Sequence, residues 1–335
     1  MNELDAAFAR RRDRLALRAY ATSGSATIAA APASQLSDID LGDHVATVAG
    51  DTLWVLEAAE TSRVSAMSAA LAWFVRQPTG LVDRVGLIAR HAPSVAARRL
   101  ANFRVAAQVF TMAGDVLSVV EPEPHAPNEV ADPRHLALAG MFSEAGADVV
   151  VEHGVVSAEV AGLEVARVVE EQGAPLVRIG VGVHDRETFR MVHGDEATVE
   201  QLRAVVETVA LQRRPDSPTH PLNLLARERA LRHRMLEHPA AIGMKTLEIA
   251  EPPVQRTNVK DGVPCCAIGR NHDDEVVVVV FASGVDLDVV PFAADARARL
   301  ASDAHLMIVT ESRNIVPLQL RIAELVAAPV EFRGA

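Results

Sequence analysis

Proline limits what this chain can fold into. The fourteen residues from Glu121 to Arg134 hold four prolines and no apolar periodicity. Each proline removes a backbone donor and fixes φ, so no helix or sheet interior runs through such a stretch. A second break, Arg213 to Pro221, contains Pro215, Pro218 and Pro221. The 335 residues are thereby cut into pieces of ordinary domain size. They are 49% hydrophobic but only 4% aromatic, with abundant alanine and valine, so their cores must be built from small and β-branched side chains.

The pieces at the two ends share an order of elements. Residues 2–20 read as an amphipathic helix through Leu4, Phe8, Leu15 and Leu17. A short strand is expected within Ser25–Ala33, then a hairpin over His44–Ala59 that turns at Gly50-Asp51. A helix over Ser62–Gln77, a strand over Arg84–Ala89 and a helix over Pro93–Phe103 follow, then a hairpin turning at Gly114-Asp115. After the second break the pattern recurs. It runs through a helix at Leu222–Glu237, a strand at Thr246–Ala250, a hairpin at Val263–Ala282 and a helix at Val285–Ala301. A strand at His305–Thr310, a helix at Ile315–Val326 and a strand at Val330–Phe332 complete it. An internal duplication is the expectation.

Charge and cysteine narrow the setting. A net charge of −11 opposes diffuse attraction to nucleic acid, which leaves only a local patch for such a partner. Arg10, Arg11, Arg12, Arg14 and Arg18 form the one dense basic cluster. On a helix these arginines spread over more than one face, so a solvated first helix is expected. No apolar run approaches the ~18–20 residues of a membrane span, which excludes an integral membrane protein. Cys265 and Cys266 are adjacent and no Cys-x-x-Cys occurs, so neither a zinc ribbon nor a redox pair is present. Reduced thiols and an N-terminus without the order of a secretory signal point to the cytoplasm.

The order helix, three strands, helix, strand resembles the restriction-endonuclease-like fold of the PD-(D/E)XK nucleases. In that family an aspartate opens the second strand and a Glu-x-Lys triplet ends the third. The carboxylates hold a divalent cation, and the lysine polarises the attacking water. Asp43 and Glu57 match those carboxylate positions here, across the first hairpin. The triplet, however, reads Glu57-Ala58-Ala59, and the corresponding strand end of the C-terminal piece reads Phe281-Ala282-Ser283. The resemblance covers roughly residues 1–120 and 220–333 and implies a nuclease fold whose catalysis is lost in both halves. The structural alternative is that Asp43 caps a loop and Glu57 is a solvated strand-end carboxylate.

Residues 135–200 hold the remaining candidates. His135–Ala145 reads as a helix, Val149–Val151 as a strand, and Val155–Val169 with Leu176–His184 as a hairpin around Glu170–Pro175. Setting Val169 opposite Leu176 places Arg167 across from Arg178, Ala161 from His184 and Glu159 from Arg186. Alternation then gathers Glu159, Arg167, Arg178, His184 and Arg186 on one face, around the bare backbone of Gly180 and Gly182. Two glycines on one face suggest close approach of a ligand or of another backbone. Glu159, His184, Asp185 and Glu187 are ligand types for a divalent metal such as Mg²⁺ or Mn²⁺. Arg167, Arg178 and Arg186 are candidates to bind an anion. The structural alternative is a Glu159–Arg186 cross-strand ion pair, with Asp185 opening a helix at Arg186. Glu164, a carboxylate on the apolar face, must lie near a strand edge or belong to a site.

The expected architecture is therefore α/β. Two restriction-endonuclease-like αβββαβ domains, residues 1–120 and 220–335, bracket a linker at 121–134 and a β-hairpin plus helix module at 135–213. The leading functional expectation is a catalytically inactive binding or scaffold protein in nucleic-acid transactions. The alternatives are a metal-dependent hydrolase or phosphodiesterase, or a small anion- or metal-binding protein, using the middle module. A homodimer whose sheets approach through Gly180 and Gly182 is a further one. Phosphate-binding Gly-x-x-x-x-Gly-Lys, Gly-x-Ser-x-Gly and His-Glu-x-x-His motifs are all absent.

Overall fold

The first strands follow a helix that keeps one face for the sheet. In the computed structural model, which describes residues 3–25, 28–60, 62–114, 116–214 and 220–335, α1 spans Glu3–Ser23. Leu17, Tyr20 and Ala21 are buried, while the side chains between them point outward. Strands β1 (Leu36–Leu41), β2 (His44–Ala49) and β3 (Thr52–Leu56) form an antiparallel meander. After α2 (Ala66–Phe74), β4 (Arg84–Ile88) pairs parallel with β3. After α3 (Pro93–Leu100), β5 (Ala106–Ala113) pairs parallel with β4, and β6 (Val116–Val119) closes a six-stranded sheet in sequence order. Central β3 is buried along its whole length, as its continuous apolar run requires. Trp54 lies there fully buried, 5.5 Å from the Phe110 ring, and fits because position 86 is glycine. A Cβ at Gly86 would meet the indole at 2.8 Å.

The strand expected within 25–33 is not found. Its residues 26 and 27 lie outside the described set, Ile28–Pro32 is irregular, and the strand is β1 instead. Its Ser-Asp-Ile-Asp pattern reads as loop because β1 is a half-exposed edge strand, where charge is tolerated. Asp115, expected in the β5–β6 turn, lies outside the described residues.

Beyond the proline-rich stretch come short helices α4 (Pro133–Leu136) and α5 (Ala139–Glu144), and a second sheet. Its strands are β7 (Asp148–Glu152), β8 (Val155–Val160), β9 (Leu163–Glu171) and β10 (Ala174–Ile179), an antiparallel meander. Helix α6 (Gly182–His193) and helix α7 (Val199–Gln212) follow. Phe142, Val156, Leu163, Val165, Ile179 and Leu202 centre the core between this sheet and its helices. Each connection is a two-residue turn with both residues at positive φ: His153-Gly154, Ala161-Gly162 and Gln172-Gly173. That is the type I′ geometry, whose twist matches the strands it joins.

These turns correct the hairpin read from sequence. The expected register holds where the strands exist, with Leu176 opposite Val169 and Arg178 opposite Arg167. The stretch Val155–Val169, however, is two strands, and the loop at 170–175 is only the Gln172-Gly173 turn. His184, Asp185 and Arg186 sit in α6, because Gly180 (φ 139°) and Gly182 (φ 82°) turn the chain out of the sheet. Glu159 is paired with Glu164 in the β8–β9 ladder and does not face Arg186 there.

Helix α8 (Arg227–Glu237) leads into a third sheet: β11 (Met244–Ala250), β12 (Cys265–Asn271) and β13 (Val276–Phe281), an antiparallel meander. Helix α9 (Val289–Leu300) precedes β14 (His305–Thr310), which pairs parallel with β13. Helix α10 (Pro317–Ala323) and β15 (Val330–Gly334) complete the five-stranded sheet in sequence order. Leu231 and Met235 of α8 pack with Met244, Cys265, Val279 and Phe281.

The chain is thus a mixed α/β protein with three sheets. It divides into two units. One comprises residues 1–125, 285–295 and 316–330, and the other 126–284, 296–315 and 331–335. In the first, Asp295 is fully buried and accepts hydrogen bonds from Arg98 (Nε, 2.9 Å) and Arg99 (Nε, 3.3 Å) of α3. Asp288 accepts from Ser65, the N-cap of α2. Among the described residues no helix is long and apolar enough to cross a membrane.

Candidate functional site

The motif-matching carboxylates of the first unit flank the β2–β3 hairpin. Asp43 immediately precedes β2, and its Oδ2 accepts a hydrogen bond from Ser62 Oγ at 2.9 Å. Glu57 immediately follows β3, and its Oε2 accepts from the backbone N–H groups of Arg90 (2.6 Å) and His91 (2.9 Å) ahead of α3. Between them His44 is buried. Its Nδ1 accepts from the Ala58 N–H at 3.1 Å, so Nε2 carries the proton and donates to the Val64 carbonyl at 2.9 Å. Asp43 lines a cavity of about 360 Å³ with Asp40, His44, Ser62, Arg63 and Arg76. Glu57 lines a different one, of about 110 Å³, with Ser65, Met67, His91 and Arg99. Glu57 is thus not the solvated carboxylate of the structural alternative: it closes the start of α3.

The middle candidates are not gathered into one site. Glu159 is buried at the end of β8. His184, Asp185 and Glu187 are exposed on α6, where Asp185 accepts from the Val181 N–H at 2.7 Å and so tethers the start of the helix. Arg167 (Nε, 2.7 Å) and Arg186 (Nη1, 2.9 Å) both donate to Glu164, which explains that carboxylate on an otherwise apolar face. Burial raises the Glu164 pKa, but Arg167 and Arg186 outweigh it and keep the group ionised. Arg178 donates to Glu171 (Nε, 2.8 Å) and to the Asp195 carbonyl (3.1 Å). Each anion-binding candidate is therefore occupied by a carboxylate of the same chain. Gly180 and Gly182 are likewise used internally. A Cβ at Gly180 would meet the Arg186 nitrogen at 2.6 Å, and one at Gly182 the Val259 side chain at 3.3 Å. Among the described residues no three His, Cys, Asp or Glu side chains come together as a metal site.

What sequence reasoning missed is the partner of Glu159. Helix α8 presents Arg229 and Arg232, three residues apart and on one face, to Glu152 of β7 and Glu159 of β8. Arg229 joins both carboxylates, while Arg232 Nη1 donates to Glu152 at 2.6 Å and to the Cys266 carbonyl at 3.3 Å. All four side chains are buried, Arg232 to 1% exposure. Burial opposes the charges of Glu152, Arg229 and Arg232. For Glu152 the two arginines outweigh it and hold the pKa below the usual carboxylate range, and for Arg229 the two glutamates raise the pKa above the guanidinium value. Nearby, Arg213 spends its guanidinium on four backbone carbonyls, Ala161, Leu222, Leu225 and Ala226, and burial draws its pKa down to about 10. A cavity of about 330 Å³ opens over the quartet, lined by Asp148, Glu159, Arg229, Arg232, His233 and Glu237 among others. At its rim His233 Nδ1 lies 3.1 Å from Asp148, and that hydrogen bond raises the histidine pKa. Cys265 and Cys266 are buried beneath, and burial pushes the Cys265 thiol up to about 12.

The arginines of α1 are largely solvated, as expected, and Arg12 lies on a face of its own. Arg10, Arg11, Arg14 and Arg18, with Ala7, Leu15 and Asp38, line one open groove of about 600 Å³. Arg12 alone lies outside it, beside Asp13. Asp38 pairs with Arg18 (3.2 Å) and Arg14 (3.8 Å), and Arg10 donates to the Gly42 carbonyl. Arg11 makes no ion pair among the described residues.

No protein family, no curated protein and no solved structure matches this chain.

Proposed function

We propose that this chain is a non-catalytic binding protein built on a nuclease-like α/β fold. The observation that carries the reading is the use made of Glu57. Oε2 of Glu57 already accepts two backbone N–H groups ahead of α3, and Oε1 lies 3.5 Å from His91 Nδ1. The carboxylate is thus engaged within the chain, and a bidentate grip on a cation would cost it those contacts. Asp43 faces a separate cavity, and alanine at positions 58 and 59 supplies no ammonium to activate water or stabilise a phosphorane. The nuclease-like ancestry is supported by the first and third sheets, each an antiparallel meander followed by a parallel crossover strand. An internal duplication is the economical account of that likeness.

The reading of the middle module as a metal-dependent hydrolase is less well supported, since Glu159 faces arginines while His184 and Glu187 face solvent. The homodimer reading rested on Gly180 and Gly182, whose close neighbours are atoms of this chain.

The test is incubation of the purified protein with supercoiled plasmid, single-stranded DNA and RNA in Mg²⁺ or Mn²⁺. No cleavage is expected. Cleavage by the wild type that disappears in folded Glu57→Gln or Asp43→Asn protein would overturn the proposal.

A further inference from the structure

We infer that the arginine face of α1 is a groove for single-stranded nucleic acid, held through its phosphates. This deepens the reading of the chain as a binding protein by naming a partner. It is separable from the absence of catalysis, because binding is measured without metal.

The helix fold itself assembles the groove. Ala7, Arg11, Arg14 and Arg18 recur at helical spacing, with Arg10 alongside, while Leu17, Tyr20 and Ala21 bury another face of the same helix. Among the described residues that line the groove, four guanidinium groups meet a single carboxylate, Asp38, in a chain whose net charge is −11. Asp38 neutralises at most one of them. Among the described residues Arg11 has no internal partner and Arg10 has only a carbonyl, so donors remain for an outside acceptor. Arginine forks match phosphate oxygens in pairs.

The spread of charge sets the kind of anion. Arg10 to Arg18 spans eight helical steps, about 12 Å at 1.5 Å per residue. One phosphate cannot reach all four groups, but a strand with ~3.4 Å of rise per nucleotide places three or four phosphates over that length. The groove is concave and open, which suits a strand better than the flat surface of a bilayer. Arginines engaged on phosphates carry no sequence information, so sequence-independent contact is expected. Phe8, 68% exposed and one turn before Arg11 and Arg12, offers a ring on which an unpaired base can stack. That favours a single strand over a duplex.

The experiment is fluorescence anisotropy with a labelled dT 12-mer, its RNA equivalent and a 12-base-pair duplex. It is run in EDTA at 25 and 150 mM salt. Three phosphate contacts predict a slope of about −2 in log affinity against log salt, or about 40-fold weaker binding at the higher salt. Arg11→Ser/Arg14→Ser, both exposed positions, is expected to weaken low-salt binding at least tenfold and to flatten the slope. Arg12→Ser removes a charge outside the groove and is expected to change affinity less than twofold. Phe8→Ala is expected to weaken the single strand and spare the duplex. Circular dichroism checks that each variant is folded. No binding at 25 mM salt, an Arg12→Ser loss equal to that of the double variant, or binding confined to phosphatidylserine vesicles would each overturn the proposal. Cleavage with added metal would overturn the non-catalytic reading and leave this one standing.

Discussion

Replacing Arg232 with methionine tests the buried quartet most directly. Arg232 is 1% exposed, and its Nη1 donates to Glu152 at 2.6 Å, beside Glu159 and Arg229. Methionine fills much of the same volume but brings no charge, so two buried carboxylates must then share one guanidinium. Removing one partner of a buried ion pair costs about 3–5 kcal/mol, because the remaining charge is left uncompensated. For a unit of this size that corresponds to a fall of roughly 6–20 °C in melting midpoint. The pH dependence gives a second signature. In the wild type the folded-state pKa of Glu152 is depressed, so its contribution is complete above the unfolded-state pKa and fades as pH falls through the folded one. In the variant the surplus carboxylate has a raised pKa, and stability drains away as pH rises above the ordinary carboxylate range. The wild-type–variant gap should therefore be wider at pH 8 than at pH 5. Melting followed by far-UV circular dichroism at both pH values measures it, and Glu152→Gln/Arg232→Met should recover part of the loss. A shift under about 2 °C, or a gap independent of pH, would refute the reasoning.

Glycine at two turns provides a paired comparison. Gly162 (φ 77°) and Gly173 (φ 81°) have the same backbone requirement, but only a Cβ at Gly162 would run into the Arg229 carbonyl. Gly173→Ala should cost about 1–2 kcal/mol and Gly162→Ala about 1–3 kcal/mol more, by urea denaturation, so equal losses would count against the close approach. His233 should titrate above its ordinary value by NMR and fall back in Asp148→Asn. Its contribution to stability is complete below the unfolded-state pKa and is lost as pH rises through the folded one. Cys265 and Cys266 should resist a thiol reagent in the native protein and react only after unfolding, since the Cys265 thiol is held near 12 and both are buried. Rapid native labelling would show that the core opens easily.

The sequence conveyed the outer pieces better than the middle. Continuous apolar runs such as Thr52–Leu56 and Val276–Phe281 announce buried strands, and the helices between them follow from period and proline. In the middle, the register of β9 against β10 was legible from Val169 and Leu176, yet the strand count was not. The signal was present: His153-Gly154, Ala161-Gly162 and Gln172-Gly173 recur between apolar stretches as residue-glycine pairs. Asn-Gly or Asp-Gly would have identified the turns, whereas histidine, alanine and glutamine seldom take positive φ. Reading Gly180 and Gly182 as strand residues then carried His184 onto a sheet when it belongs to α6. Glu159 stood out as a site residue because alternation set it on one face with Arg167, Arg178, His184 and Arg186. Its partners lie some seventy residues on in a helix whose four arginines follow no single periodicity, so only tertiary structure joins them.

The quartet of Glu152, Glu159, Arg229 and Arg232 also bears on how this chain can diverge. Any single replacement leaves a buried charge unbalanced, and a loss of about 3–5 kcal/mol is a large share of the ~5–15 kcal/mol that separates a folded domain from its unfolded chain. An all-apolar substitute could be as stable as the quartet, but point changes reach it only through crippled intermediates. Descendants of this sequence should therefore keep the four residues together or lose them together, and carry the two halves of the quartet as one inherited character.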